Sequence, residues 1–170
     1  MSTRLQEQTV NMHVVYLHGF ASSPHSSKAL FLGERLAACD IAMHCPDLNE
    51  PDFSTLTASR MVGQVERLIE GLAPGPVALI GSSLGAFVTV HVAERAARPV
   101  AGTSSLRPID RLVLLAPALD FGTNGMTDLG PDGLERWRVT NRLDVEHYAE
   151  GRVRHVHYAL YEDARAFDSF

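Results

Sequence analysis

Residues 77–97 read VALIGSSLGAFVTVHVAERAA. An apolar run of strand character (77–80) passes within five residues, Gly81-Ser82-Ser83-Leu84-Gly85, into a run from Leu84 to about Ala97 that is apolar on nearly every side. The second run predicts a helix buried centrally rather than laid on a surface. Few folds accept so abrupt a turn from strand to buried helix. The central residue is forced into a strained backbone conformation, and the residues two positions either side must be small where helix packs on strand. Gly81 and Gly85 meet that demand. The turn fits G-x-S-x-G with Ser83 at its centre, and its setting directly between strand and helix is the context a nucleophile elbow requires. The hydroxyl of Ser83 is then pushed out at the C-terminal edge of a sheet, facing the first amides of the new helix, a natural anion site. A plain Gly-Ser link between strand and helix is the bland alternative. A phosphate-binding loop is weaker still, because neither G-x-G-x-x-G spacing nor a G-K-[ST] ending is present.

The rest of the chain supplies a frame for that turn. Short apolar runs at 13–17, 41–45 and 112–115 predict further strands. A helix capped by Ser26 or Ser27 is expected through about Ala38, with Ala29, Leu32, Leu36 and Cys39 on one face. Another is expected from about Thr57, carrying Met61, Val65, Leu68 and Leu72, and ended by Gly71 and Pro74-Gly75-Pro76. Strands alternating with helices predict the α/β class: a three-layer open parallel sheet of about four core strands, helices on both faces and every strand covered on both sides. After residue 120 the character changes. Residues 121–133 hold four Gly and one Pro and read as a loop, so 121–158 form an excursion or cap-like segment. A short helix at 134–139 holding the only Trp, a short strand at 153–158 and a helix at 159–167 complete the expectation.

Charge narrows the partners. Fifteen basic against 20 acidic residues leave −5 over 170 residues, with no basic run. Such a chain is a poor fit to nucleic acid or to an anionic membrane surface. Its longest apolar runs fall far short of the ~20 residues a membrane helix needs, and the polar first eleven residues show no signal-peptide core. Cys39 and Cys45 make neither C-x-x-C nor a disulfide framework, and read as small buried hydrophobes. The expectation is a cytoplasmic protein without metal or cofactor, taking a small-molecule ester or acyl substrate.

An acyl-transfer site needs two donors for the developing oxyanion. The amide of Leu84, after the nucleophile, is one candidate; the amide of Phe20 is the other, with Gly19 letting backbone approach closely. His18 reads as a brace for this loop rather than as a catalytic base. Tyr16–Ala29 (YLHGFASSPHSSKA) and Leu79–Phe87 (LIGSSLGAF) together resemble the α/β-hydrolase superfamily, and more narrowly the small YqiA-like bacterial esterases. The resemblance covers about Val14 to Asp120 well. It implies a serine hydrolase acting on ester or thioester bonds, with Ser83 as nucleophile and Phe20 and Leu84 as oxyanion donors. It also implies four of the family's eight strands.

A serine hydroxyl needs a base, and the base an orienting acid, in chain order Ser, Asp or Glu, His. Asp120 is a weak candidate acid, with a loop-capping role as the alternative. His155 or His157 is a weak candidate base, with ordinary structural histidines as the alternative; the H-x-H pair lacks an evident third metal ligand. Asp163 reads as part of a charged helix face. No apolar run followed by G-x-x-D and no late His in a Gly or Asp loop is seen, so the expectation is a domain incomplete at its C-terminus. Three functions remain open: a serine esterase, a non-catalytic or truncated binding module on the same fold, and a thioesterase or acyltransferase on the same elbow.

Overall fold

The computed structural model describes residues 12–98, 107–122 and 129–167. Four parallel strands, β1 (His13–Leu17), β2 (Ala42–His44), β3 (Val77–Ser82) and β4 (Arg111–Leu115), form a sheet in the order β2-β1-β3-β4. Leu17 lies opposite Gly81 and Ser82 opposite Leu115, so β1, β3 and β4 end at one common edge. The helices α1 (Ser27–Ala37), α2 (Ala58–Gly71) and α3 (Leu84–Ala97) connect successive strands. The chain leaves β1 towards β2 but leaves β3 in the opposite direction, towards β4. With right-handed crossovers, that reversal puts α1 on one face and α2 and α3 on the other. A crevice opens outside the carboxyl ends of β1 and β3, where ligands bind in open α/β sheets.

Each connecting helix is started by a side chain. Ser26 accepts from the Ala29 N–H at the start of α1, and Thr57 accepts from the Arg60 N–H at the start of α2. Helix α3 is buried at Leu84–Thr89 and at Val92, as its apolar circumference requires. The α1 face is shallower than its pattern suggested. Only Ala29 is buried, Leu32 and Leu36 are half-buried, and Leu30 and Phe31 stand exposed. Cys39 is likewise exposed, correcting its reading as a buried hydrophobe, while Cys45 is half-buried.

Coverage of β4 also departs from expectation. It forms one edge of the sheet, and Leu112 and Val113 are each 44% exposed. An all-apolar strand therefore did not mean burial on both faces, because apolar composition says nothing about which neighbours are present.

The region after β4 is more regular than a loop. Helix α4 (Gly130–Thr140) begins four residues earlier than predicted. It is followed by an antiparallel hairpin of β5 (Leu143–His147) and β6 (Arg152–Val156), and by α5 (Ala159–Ala164). Residues 123–128, with Met126, and most of the predicted 98–108 loop lie outside the described residues. Trp137 is 1% exposed and donates from Nε1 to the Val156 carbonyl at 2.9 Å. Trp137, Val156, Leu160 and Ala164 join the same hydrophobic cluster as the strands and α2.

Candidate active site

Ser83 sits at φ 53°, ψ −117°, a conformation costing about 1–3 kcal/mol for a residue with a Cβ. Strand β4 and the first turn of α3 hold it there. Its N–H donates to the Leu115 carbonyl at 3.0 Å, and its carbonyl accepts from Ala86 N–H at 2.9 Å and Phe87 N–H at 3.3 Å. The two glycines are sterically obligatory. A Cβ on Gly85 would stand 2.6 Å from the His18 carbonyl oxygen and nearer still to that of Leu17. One on Gly81 would meet Ala86 Cα at 2.5 Å and crowd Thr89 Oγ1 and the Gly85 carbonyl. The start of α3 is thus pressed onto the end of β1, and the remaining outlet for the Ser83 side chain is solvent, where it is exposed while Ser82 and Leu84 are buried.

The loop after β1 stands beside this turn. A Cβ on Gly19 would lie 3.4 Å from Ser83 Cβ and 3.3 Å from the Ser82 carbonyl oxygen. Among the described residues, neither the Phe20 nor the Leu84 N–H donates to a backbone carbonyl. His18, 1% exposed, braces the loop: Nδ1–H donates to the Gly19 carbonyl at 2.9 Å, and Nε2 accepts from the Leu48 N–H at 3.0 Å. That assignment of the ring proton follows from the Leu48 amide, which can only donate.

A cavity of about 350 Å³ opens over Ser83, with Phe20, Tyr16, Ser82, Lys28 and Tyr148 on its walls. Lys28 Nζ donates to Ser82 Oγ at 3.1 Å. Burial of the Tyr16 ring pushes its pKa up against the opposing pull of the nearby Ser82 and Ser26 hydroxyls, so it stays a neutral phenol. Tyr148 is at the tip of the β5–β6 hairpin, which rests on the loop after β1 through Ala149 N–H to Ala21 carbonyl at 3.5 Å. Phe121 and Phe53 lie in the core, 6% and 2% exposed.

Among the described residues, neither a histidine nor a carboxylate lines this cavity. Asp120 is exposed on the turn after β4, two residues beyond Ala118, whose N–H reaches the Ser83 carbonyl at 3.4 Å. His155 and His157 pack on each other with ring centroids 5.8 Å apart and lie off the cavity wall. Among the described residues, no group of three or more His, Cys, Asp and Glu could hold a metal ion, and no helix is long and apolar enough to cross a membrane. Sequence reasoning passed over Tyr16, Lys28, Ser82 and Tyr148 as site residues. Lys28 left a trace, being the single lysine of the chain and part of the segment that carries the resemblance.

A second cavity, of about 370 Å³, is lined in part by Ser23 and His25 of the loop after β1. Asp47, Glu50, Asp52 and Glu150 line it, with Arg154 and His147. His147 is buried edge-on against Phe53, and burial pushes its pKa down against the opposing pull of Glu150.

Residues 13–164 match the model of a family described as Uncharacterised protein family (UPF0227). The chain belongs to that family. No curated protein sequence matches the chain significantly. Among solved structures, a protein of Agrobacterium vitis S4 provisionally named a hydrolase superposes with a TM-score of 0.77 at 23% identity, over 92% of this chain and 61% of its own. Mouse alpha/beta hydrolase domain-containing protein 10 gives 0.68 at 20% identity, over 91% and 60%. Est1E of Butyrivibrio proteoclasticus gives 0.64 at 16%, over 94% and 60%. The fold of this UPF0227 member is that of the α/β-hydrolase superfamily, and the chain spans about 60% of the length of these structures.

Proposed function

We propose that this protein is a serine hydrolase of esterase type, in which Ser83 attacks the acyl carbon and carries the acyl group. The observation that carries the reading is the strained, solvent-facing Ser83 held between two glycines that no other residue could replace. Attack by Ser83 Oγ pushes the carbonyl electrons onto oxygen. The Phe20 and Leu84 amides flank that position and stabilise the oxyanion; one such donor is worth roughly 10²–10³ in rate. Loss of the alcohol or thiol leaves an acyl-Ser83 ester, which water then hydrolyses. Asp120 keeps its place as candidate acid because it follows the turn that touches the Ser83 carbonyl. A thioesterase or acyltransferase would share every step up to the acyl-enzyme and differ only in leaving group or acceptor.

A fluorophosphonate probe tests the reading. Covalent labelling that maps to Ser83 and vanishes in Ser83→Ala is the expected result. A folded chain that reacts no faster than Ser83→Ala would overturn it. One observation favours a second reading, a binding module on the same fold: among the described residues, no histidine or carboxylate stands on the cavity wall. That module would bind acyl ligands at Ser83 without turning them over.

A further inference from the structure

We infer that Lys28 makes the Ser83 cavity selective for acyl esters that carry a carboxylate. The inference rests on the hydrolase reading above and adds to it a substrate class. Lys28 is the only lysine among 170 residues, the other fourteen basic residues being arginines. Among the described residues it is also the only cation on the cavity wall, and no carboxylate accompanies it there. Among the described residues it joins no ion pair. Many of the arginines are matched differently: Arg138, Arg142, Arg152 and Arg154 each lie within 4 Å of a carboxylate.

The ammonium of Lys28, an exposed residue, is held beside the nucleophile by one neutral hydroxyl. One of its three protons goes to Ser82 Oγ, the residue immediately before Ser83. Ser82 stands beside the buried Tyr16 hydroxyl, which also lies near Ser26. A hydroxyl positions the charge without cancelling it, so two N–H donors and a full positive charge remain for a ligand. An extended lysine in water would keep its rotamer freedom; one tethered to Ser82 forgoes part of it, and an anionic ligand is what such an arrangement rewards.

The neighbouring cavity sharpens the selection. Its wall carries Asp47, Glu50, Asp52 and Glu150 with Arg154, which pairs with Asp52 and Glu150, and the chain as a whole is net negative. A carboxylate approaching the loop after β1 meets more acidic than basic groups at that cavity and the Lys28 ammonium at the other. Among the described residues, the cation a negative group meets on the Ser83 side is Lys28, which no carboxylate matches.

Mono-(4-nitrophenyl) adipate, with its charge on the acyl side, is compared with 4-nitrophenyl hexanoate. 4-Acetoxybenzoate, with its charge on the leaving group, is compared with phenyl acetate. In Lys28→Gln, the ratio of kcat/KM for charged over neutral ester falls about 10–100-fold in the pair whose charge Lys28 meets, mainly through KM, as expected for loss of one charge-assisted hydrogen bond. Lys28→Arg keeps most of the ratio, and raising salt lowers it only in proteins with a cation at 28. A second measurement does not need turnover. Labelling with ¹⁵N-lysine places one side-chain ammonium signal in the protein, and monomethyl adipate shifts it while methyl hexanoate does not. Ratios unchanged in Lys28→Gln, or a Lys28 signal indifferent to monomethyl adipate in a protein whose Ser83 reacts with fluorophosphonate, overturn the substrate assignment alone. Failure of Ser83 to react overturns the hydrolase reading and the assignment with it.

Discussion

Asp163 caps the start of α2 from 104 residues downstream: its two carboxylate oxygens accept from the Ser59 N–H and from Ser59 Oγ, both at 2.7 Å. The free N–H groups at a helix start attract a carboxylate. Thr57 already satisfies the Arg60 N–H, and Asp163 satisfies Ser59 from a different part of the chain. This contact ties α5 to α2, and α2 packs on α3, the helix that begins at Ser83.

Removing the tie is therefore expected to loosen the C-terminal segment. Asp163→Ala should cost about 1–2 kcal/mol, the usual range for a lost cap. Trp137, the only tryptophan, sits in that segment and gives a clean fluorescence signal for urea unfolding. A double-mutant cycle with Ser59→Ala should show a coupling of at least about 0.5 kcal/mol. Additive losses would mean the carboxylate acts elsewhere.

Strain at the nucleophile should be measurable as stability. Ser83→Gly removes the Cβ from the φ 53°, ψ −117° conformation and is expected to raise unfolding free energy by about 1–2 kcal/mol, while abolishing fluorophosphonate labelling. Ser83→Ala should abolish labelling with no such gain. Equal stabilities for the two variants would show that the turn stores no strain.

The two elbow glycines should respond opposite to Gly71. Gly85→Ala drives a methyl into the Leu17 and His18 carbonyls and should cost more than about 3 kcal/mol or prevent folding. Gly71, last residue of α2, meets nothing within 4 Å, and Gly71→Ala should stabilise by about 0.5–1 kcal/mol. Circular dichroism melts of the two variants decide the matter.

Burial holds the His147 imidazole below its ordinary range, and burial followed by the nearby His13 does the same for His44. The unfolded chain therefore binds these protons first. Stability is full above the unfolded value near 6.5 and falls as pH drops through it towards the lower folded values. Each group adds a slope of at most about 1.4 kcal/mol per pH unit in that window. Urea unfolding of His147→Gln at pH 7.5 and 5.5 should show a smaller difference than the parent protein; an equal difference removes His147 from the account.

Burial, then the Asp47 charge, pushes the Cys45 thiol up to about 11, whereas Cys39 is exposed. Iodoacetamide at pH 8 should modify Cys39 first and leave Cys45 mostly intact until denaturant is added, since the thiolate is the reactive form. Peptide mapping by mass spectrometry reads the order directly.

Much of the frame around Ser83 could be read from residues in a row. The four parallel strands and three connecting helices follow from apolar periodicity, with boundaries shifted by a residue or so. Strand β5 was passed over because Asp144 and Glu146 interrupt it. The alternation of Leu143, Val145 and His147 inward against those acids outward was the available signal. The exposed α1 residues Leu30 and Phe31 and the exposed β4 residues Leu112 and Val113 show the limit of pattern reading. Periodicity finds an apolar face, whereas burial depends on what is brought against it.

Local sterics wrote the elbow into the chain: Gly81, Ser83 and Gly85 are neighbours, and clashes over four residues allow little else between an apolar strand and a buried helix. The partners of that elbow belong to tertiary structure. Lys28 meets Ser82 across 54 residues, and Asp163 meets Ser59 across 104. A hydrogen bond closed over such a span leaves no periodicity or composition to detect, because it exists only once the sheet order and the packing of the C-terminal segment have brought the two ends together.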